Sequence, residues 1–282
     1  MKLSVITDEI SQDFEHALDV MAEYNVRSAE LRGLWGVNIG DLDPSQVRRA
    51  RRALADRGMT VCSLSTPIYK CELETDEAAV AGRMHLARPR GVGEQMDLLK
   101  RCIELAHAFD TTIIRTFTFW RHGSMTPQIE AAIVAAYEQP AQLAGDGGVT
   151  LAVENEHACY VGTGVEVARV VQAIASEHVK VCWDPGNALC AGELPYPSGY
   201  EAVAPNVVHM HVKDATLDAD GRTPRWCVIG EGVIDYRGQF DALRRDGYTG
   251  HISLETHYVP KDGTPEDGSR PCLAALRRFI ED

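Results

Sequence analysis

At 282 residues, 45% of them hydrophobic, the chain can bury a large core, and length alone does not divide it, because α/β barrels run to about 250 residues as one domain. A formal net charge of -13 excludes proteins that bind by neutralising phosphates with clustered Lys and Arg, so no nucleic-acid partner is expected. No run approaches the roughly 18 apolar residues of a membrane span, MKLSVITDEISQDF lacks the apolar stretch of a signal peptide, and eight scattered cysteines have no CxxC spacing. A cytoplasmic protein with reduced thiols, away from membranes, is expected.

Short β-branched runs recur along the chain as candidate strands: Leu3–Thr7, Ser28–Leu31, Thr60–Ser65, Thr112–Phe117, Thr150–Glu154, Lys180–Asp184, Val207–Val212 and His251–Glu255. Between them lie segments with helical apolar spacing, among them DFEHALDVMAEYN, PSQVRRARRALADRG, GVGEQMDLLKRCIELAHAFD, IEAAIVAAYEQPAQLAGDGG and GVEVARVVQAIASE. Alternating β and α predicts a parallel sheet under right-handed crossovers. The choice between a closed barrel and an open sheet turns on where polar residues fall. They collect at strand C-termini all round: Asp8 and Glu9, Glu30 and Arg32, Arg115, Glu154 to His157, Asp184, His209 to Asp214, and Glu255 to His257. That distribution predicts a (β/α)8 TIM barrel spanning residues 1–282 as one domain. No GxGxxG follows the first strand to support a dinucleotide-binding fold. Two long connections, 66–91 and 214–232, leave strand C-termini and are expected to cover the barrel mouth.

Glu154 in LAVENEH, Asp184 in VCWDPGN, His211 in VHMHVKD and Glu255 in ISLETHY end the last four strands. Three carboxylates meeting at one mouth would force a pKa upward unless a cation joined them. With hard oxygen donors dominant and no thiolate beside them, one divalent ion is expected, Mn²⁺ first, with Mg²⁺ and Co²⁺ as alternatives. His209 shares a strand face with His211 and is assigned to a deeper layer.

With these residues the sequence resembles the xylose-isomerase-like barrels, in particular their sugar phosphate isomerase/epimerase branch. The resemblance runs through "ELRG", "VEN", "WDPGNA", "HVKDA", "GEGVIDY" and "GYTGHISLE". It implies metal ligation by Glu154, Asp184, His211 and Glu255. From the ketose 3-epimerases it also implies that Glu154 and Glu255 are catalytic, one removing a proton from the reacting carbon and the other returning one. Barrels of this branch often associate as dimers or tetramers, so the resemblance admits a homo-oligomer, while the residues themselves set no oligomeric state. The chain departs from those epimerases at Asn187, where they carry His, at Glu156, the nearest match to their second Glu, and at Arg225, one residue out of step with their substrate-binding Arg. The extra histidines of the endonuclease-IV-type branch are absent.

Around the metal, the expected substrate contacts are Glu30, His157, Asn187, Lys213, Arg225 and Trp120. Lys213 reads equally as an oxyanion stabiliser or as a salt-bridge partner of Asp214 or Glu255, and Trp120 equally as a sugar-stacking ring or as core. Arg32 is assigned to a structural pair with Glu30. Lys70, His85, Arg88 and Arg90 make the first long connection basic, as a substrate phosphate or carboxylate would require or as a solvated loop would carry. The reading is a metal-dependent isomerase or epimerase of a small polyhydroxy carbonyl compound, a carbohydrate. The other reading is a lyase of the inosose dehydratase type, or one cleaving a sugar conjugate.

Overall fold

A computed structural model of the chain describes residues 1–221 and 223–281, so Arg222, within the second long connection, lies outside the described residues. Eight strands close a parallel barrel: β1 (Lys2–Ile6), β2 (Ser28–Leu31), β3 (Thr60–Ile68), β4 (Ile113–Thr116), β5 (Thr150–Glu154), β6 (Val179–Trp183), β7 (Val207–Val212) and β8 (His251–Leu254). Each pairs with its sequence neighbours, and β1 closes on β8 with Lys2 opposite His251 and Val5 opposite Leu254. All eight expected strands form, and β3 runs three residues beyond its expected end, to Ile68.

Period-two alternation sorts the strand side chains between two environments. Val5, Leu31, Ile114, Val153, Val181, Met210 and Leu254 join the apolar shell under the helices. The opposite face carries a polar column. Near its base Ser4 Oγ meets Ser253 Oγ at 2.6 Å, with Cys62 beside them, and His209 and Glu30 lie above. TIM barrels usually fill this axis with branched apolar residues. Here a hydrogen-bonded column replaces them.

His251 starts β8 at the barrel's N-terminal end, its Nε2 3.1 Å from Ser28 Oγ. Burial, reinforced by His209 and Lys2, pushes its pKa down to about 4 from 6.5. The unfolded chain therefore takes up a proton before the folded one does. This contribution to stability is complete above pH 6.5 and is lost as pH falls towards 4. After discounting for partial solvent access, urea titrations are expected to show a loss on the order of 2 kcal/mol across that window, absent in His251→Gln.

The segment read as one helix over 129–148 is two, Pro127–Ala136 and Glu138–Asp146. Pro140 has no N–H for the Ala136 carbonyl and its ring crowds that oxygen. The Tyr69 hydroxyl donates to it instead, at 2.7 Å, from the chain just past β3. No helix among the described residues is long and apolar enough to cross a membrane.

Candidate metal centre and cavity

On β7, alternation turns His209 and His211 inward, and Lys213 follows on the same side. Glu30, fully buried on β2, accepts from both histidines: His209 Nε2 lies 2.7 Å from Oε2 and His211 Nε2 3.0 Å from Oε1, to which Ser65 Oγ also donates. Burial opposes the charge on Glu30, but the two imidazoles hold its pKa well below the usual carboxylate range. With Nε2 engaged, His211 turns Nδ1 towards Glu154 Oε1, at 3.3 Å, and Glu255 Oε2, at 4.0 Å. Glu30 therefore lies under the centre, not in the cavity wall, and orients the histidine above it.

Glu154, Asp184, His211 and Glu255 are all buried, and one donor atom from each lies within 4.8 Å of the others. Ligands about 2.1 Å from a small dication stand about 3.0 to 4.2 Å apart, so modest adjustment would complete such a sphere. The donors fit a hard divalent ion, and Glu154 Oε2 is buried without a hydrogen bond among the described residues, 3.1 Å from Arg115 Nη1. Asp184 caps the short helix Pro185–Cys190, its Oδ1 accepting from Asn187 N at 2.9 Å. Burial, against the attraction of Lys213, raises its pKa to about 6.

Asn155, which the sequence reading passed over, joins β5 to β6: its amide donates to Asp184 O and its carbonyl accepts from Asp184 N, both at 2.8 Å. This explains the Asn of "VEN". Asn187 Nδ2 donates to Glu154 Oε1 at 3.0 Å. Lys213 Nζ bridges Asp184 Oδ2, at 2.6 Å, and Glu255 Oε2, and although burial opposes the ammonium these carboxylates raise its pKa well above the ordinary value. Gly186 makes room for that side chain, since a Cβ there would stand 2.5 Å from Lys213 Cγ. Asp214 is not its partner. Its carboxylate accepts from Ala215 N, Gly230 N and Gly232 N, fastening "HVKDA" to "GEG".

Arg32 does not pair with Glu30, because the two residues sit at different depths. Its guanidinium meets a carboxylate at each nitrogen: Asp8 through Nε at 3.0 Å, Glu255 through Nη1 at 2.8 Å, and Glu9 through Nη2. Burial opposes the charge of Glu255, yet Lys213 and then His257 hold its pKa well below the usual range.

Above the centre lies a cavity of about 330 Å³. Both long connections wall it, the first with Lys70 and His85 and the second with Pro224 and Trp226, as expected of covering segments. Asn187 and Lys213 line it, as does His157, whose side chain is 46% exposed. The hydrogen bond that His157 Nδ1 donates to the Glu156 carboxylate, 3.0 Å away, raises the His157 pKa. Besides Glu30, two more expected substrate contacts, Trp120 and Arg225, are not brought to the wall. Trp120 is fully buried, donating to Ala79 O at 3.0 Å and packing with Phe117 and Cys159. Arg225 is exposed and bonded to Asp218, and the next residue on its strand, Trp226, takes the cavity side. Alternation along Pro224–Cys227 explains why a one-residue offset places the Arg outside.

Comparison with known proteins gives a consistent result. Among curated relatives, the chain is 27% identical to 3-oxo-isoapionate decarboxylase of Pectobacterium atrosepticum over 71% of this chain and 75% of that protein. It is 20% identical to inosose dehydratase of Geobacillus thermodenitrificans over 88% and 86% of the two chains. Among solved structures, the probable 3-DHS dehydratase of Bacillus anthracis superposes with a TM-score of 0.75 at 17% identity, covering 98% of this chain and 99% of that one. D-allulose 3-epimerase from Methylomonas gives 0.73 at 15% identity, covering 99% and 97%. The model for the xylose isomerase-like TIM barrel matches residues 18–279, and the chain belongs to that family.

Proposed function

We propose that the chain is a divalent-metal-dependent lyase of the dehydratase type, acting on a small polyhydroxy ketone or aldehyde. The carrying observation is the state of Glu255. Both its oxygens face buried cations, Arg32 on Oε1 and Lys213 on Oε2, so it stays ionised and is ill suited to carry a proton in turn with Glu154. His157, which lines the same cavity and titrates above its ordinary value beside Glu156, can deliver one, while Lys213 is held protonated as a fixed positive charge.

A dication held by Glu154, Asp184, His211 and Glu255 would polarise the substrate carbonyl and so acidify the adjacent carbon. Glu154 takes the proton from that carbon, and Lys213 stands near the negative charge that develops. His157 gives a proton to the β-hydroxyl, which leaves as water as the carbon–carbon double bond forms. The names of the curated relatives, a dehydratase and a decarboxylase, both denote lyases, and the first supports loss of water. A second reading, isomerisation or epimerisation with Glu154 and Glu255 as the acid–base pair, is favoured by both carboxylates lining the cavity.

NMR and mass spectrometry in D₂O, with keto-inositols and ketohexoses as substrates, separate the two. Loss of water is expected. Solvent deuterium incorporated without change of elemental composition would support isomerisation instead, and the absence of both water loss and exchange with all of them would overturn both readings. Glu30→Gln is expected to weaken Mn²⁺ binding by about 10- to 100-fold in calorimetry, because an amide can donate to the His211 ring and no longer fixes which nitrogen faces the ion.

A further inference from the structure

Two arginines are buried at this mouth, and their partners differ. Arg32 has a carboxylate on each guanidinium nitrogen. Arg115, 3% exposed on β4, has a single ion pair among the described residues, from Nη1 to Glu154 Oε2 at 3.1 Å. Among the same residues its Nη2 reaches only Thr66 O at 3.5 Å, and its Nε is buried with no partner. Buried N–H groups left open cost free energy unless something else completes them. Arg115 lines the cavity, and so does Lys70, 4% exposed, whose ammonium lies 3.1 Å from Glu156 Oε2 and 4.2 Å from the centre of the Phe117 ring. The Arg115 guanidinium carbon lies 4.7 Å from the centre of the same ring, so one aromatic side chain braces both cations.

We propose that Arg115, assisted by Lys70, binds a carboxylate carried by the substrate. The open donors of a planar guanidinium match a carboxylate bidentately, and the neighbouring ammonium adds a second charge. The substrate class is thereby narrowed from a neutral sugar to a polyhydroxy carbonyl acid. The proposal rests on the reading of this cavity as the substrate site, but its test requires no turnover.

Gluconate and sorbitol differ only in a carboxylate against a hydroxymethyl group, and their affinities can be measured by calorimetry in saturating Mg²⁺. Gluconate is expected to bind more tightly, and Arg115→Met to remove that advantage by about tenfold or more, while Arg115→Lys retains part of it. Lys70→Met is expected to reduce it without loss of Mg²⁺ binding, and it carries the decision should Arg115→Met fail to fold. Gluconate binding no better than sorbitol, no binding included, overturns the proposal. So does an advantage that survives a folded Arg115→Met, or one untouched by Lys70→Met where Arg115→Met is unfolded. Inorganic phosphate displacing gluconate at lower concentration than gluconate itself requires would overturn the choice of a carboxylate and assign the site to a phosphoryl group. If the reaction proves to be isomerisation, an Arg115-dependent preference for gluconate still stands.

Discussion

Glu154→Gln is expected to lose both metal and turnover. The substitution preserves shape, and an amide oxygen can still accept from Asn187 Nδ2, now 3.0 Å from Oε1. It removes one of three carboxylate charges from the cluster that faces the proposed ion, and it removes the base. Loss of general-base catalysis alone costs about 10²- to 10⁴-fold in rate. Removal of a charged ligand is expected to weaken Mn²⁺ by at least about tenfold, a loss comparable to that from breaking a supporting contact. Metal content by elemental analysis and turnover with the substrate found in the D₂O survey check the two effects separately. A folded Glu154→Gln that retains metal and activity would sink the assignment of the centre.

Arg32→Met is expected to have the largest effect on folding. Arg32 is the buried cation joining Asp8, Glu9 and Glu255, which gather around its guanidinium at the ends of β1 and β8. Methionine fills much of the volume and leaves the carboxylates without that counter-ion. Breaking a buried pair by removing one partner costs about 3–5 kcal/mol. The pH dependence separates this cause from lost packing. In the native protein burial opposes ionisation of Glu9, but Arg32 keeps its pKa below the ordinary value. Without Arg32 burial prevails and the pKa rises, so the variant is least stable where the carboxylates are forced to ionise. The deficit in urea titrations of chelator-treated protein should be larger at about pH 8 than at about pH 5, where protonation relieves the repulsion. An equal deficit at both would assign the loss to packing.

The conflict between Glu30 and Arg32 shows where reading the chain alone reaches its limit. Both stand at the end of one short strand, and in sequence a carboxylate two residues from a guanidinium reads as a pair. In the barrel Glu30 points into the axis beneath His211, while Arg32 lies further along and meets residues from β1 and β8. The partner of a charge is set by closure of the sheet, which brings together residues more than 200 positions apart. Arg115 was visible as a strand-end residue, but its unfilled donors depend on what does not reach it.

By itself, the sequence determined the eight strands, their order, the strand ends that carry polar groups and the convergence of Glu154, Asp184, His211 and Glu255 on one mouth. Those features follow from local periodicity and from the rule that parallel strands present their C-termini together. Tertiary structure alone decided which expected contacts reach the cavity. Trp120 went to the core and Arg225 to solvent, Glu30 became a support for His211, and Glu255 was clamped between Arg32 and Lys213. The physical reason is the range of the interactions. Strand and helix patterns are written over a few residues, whereas ion pairing and desolvation at a barrel mouth depend on side chains from several strands arriving at the same depth.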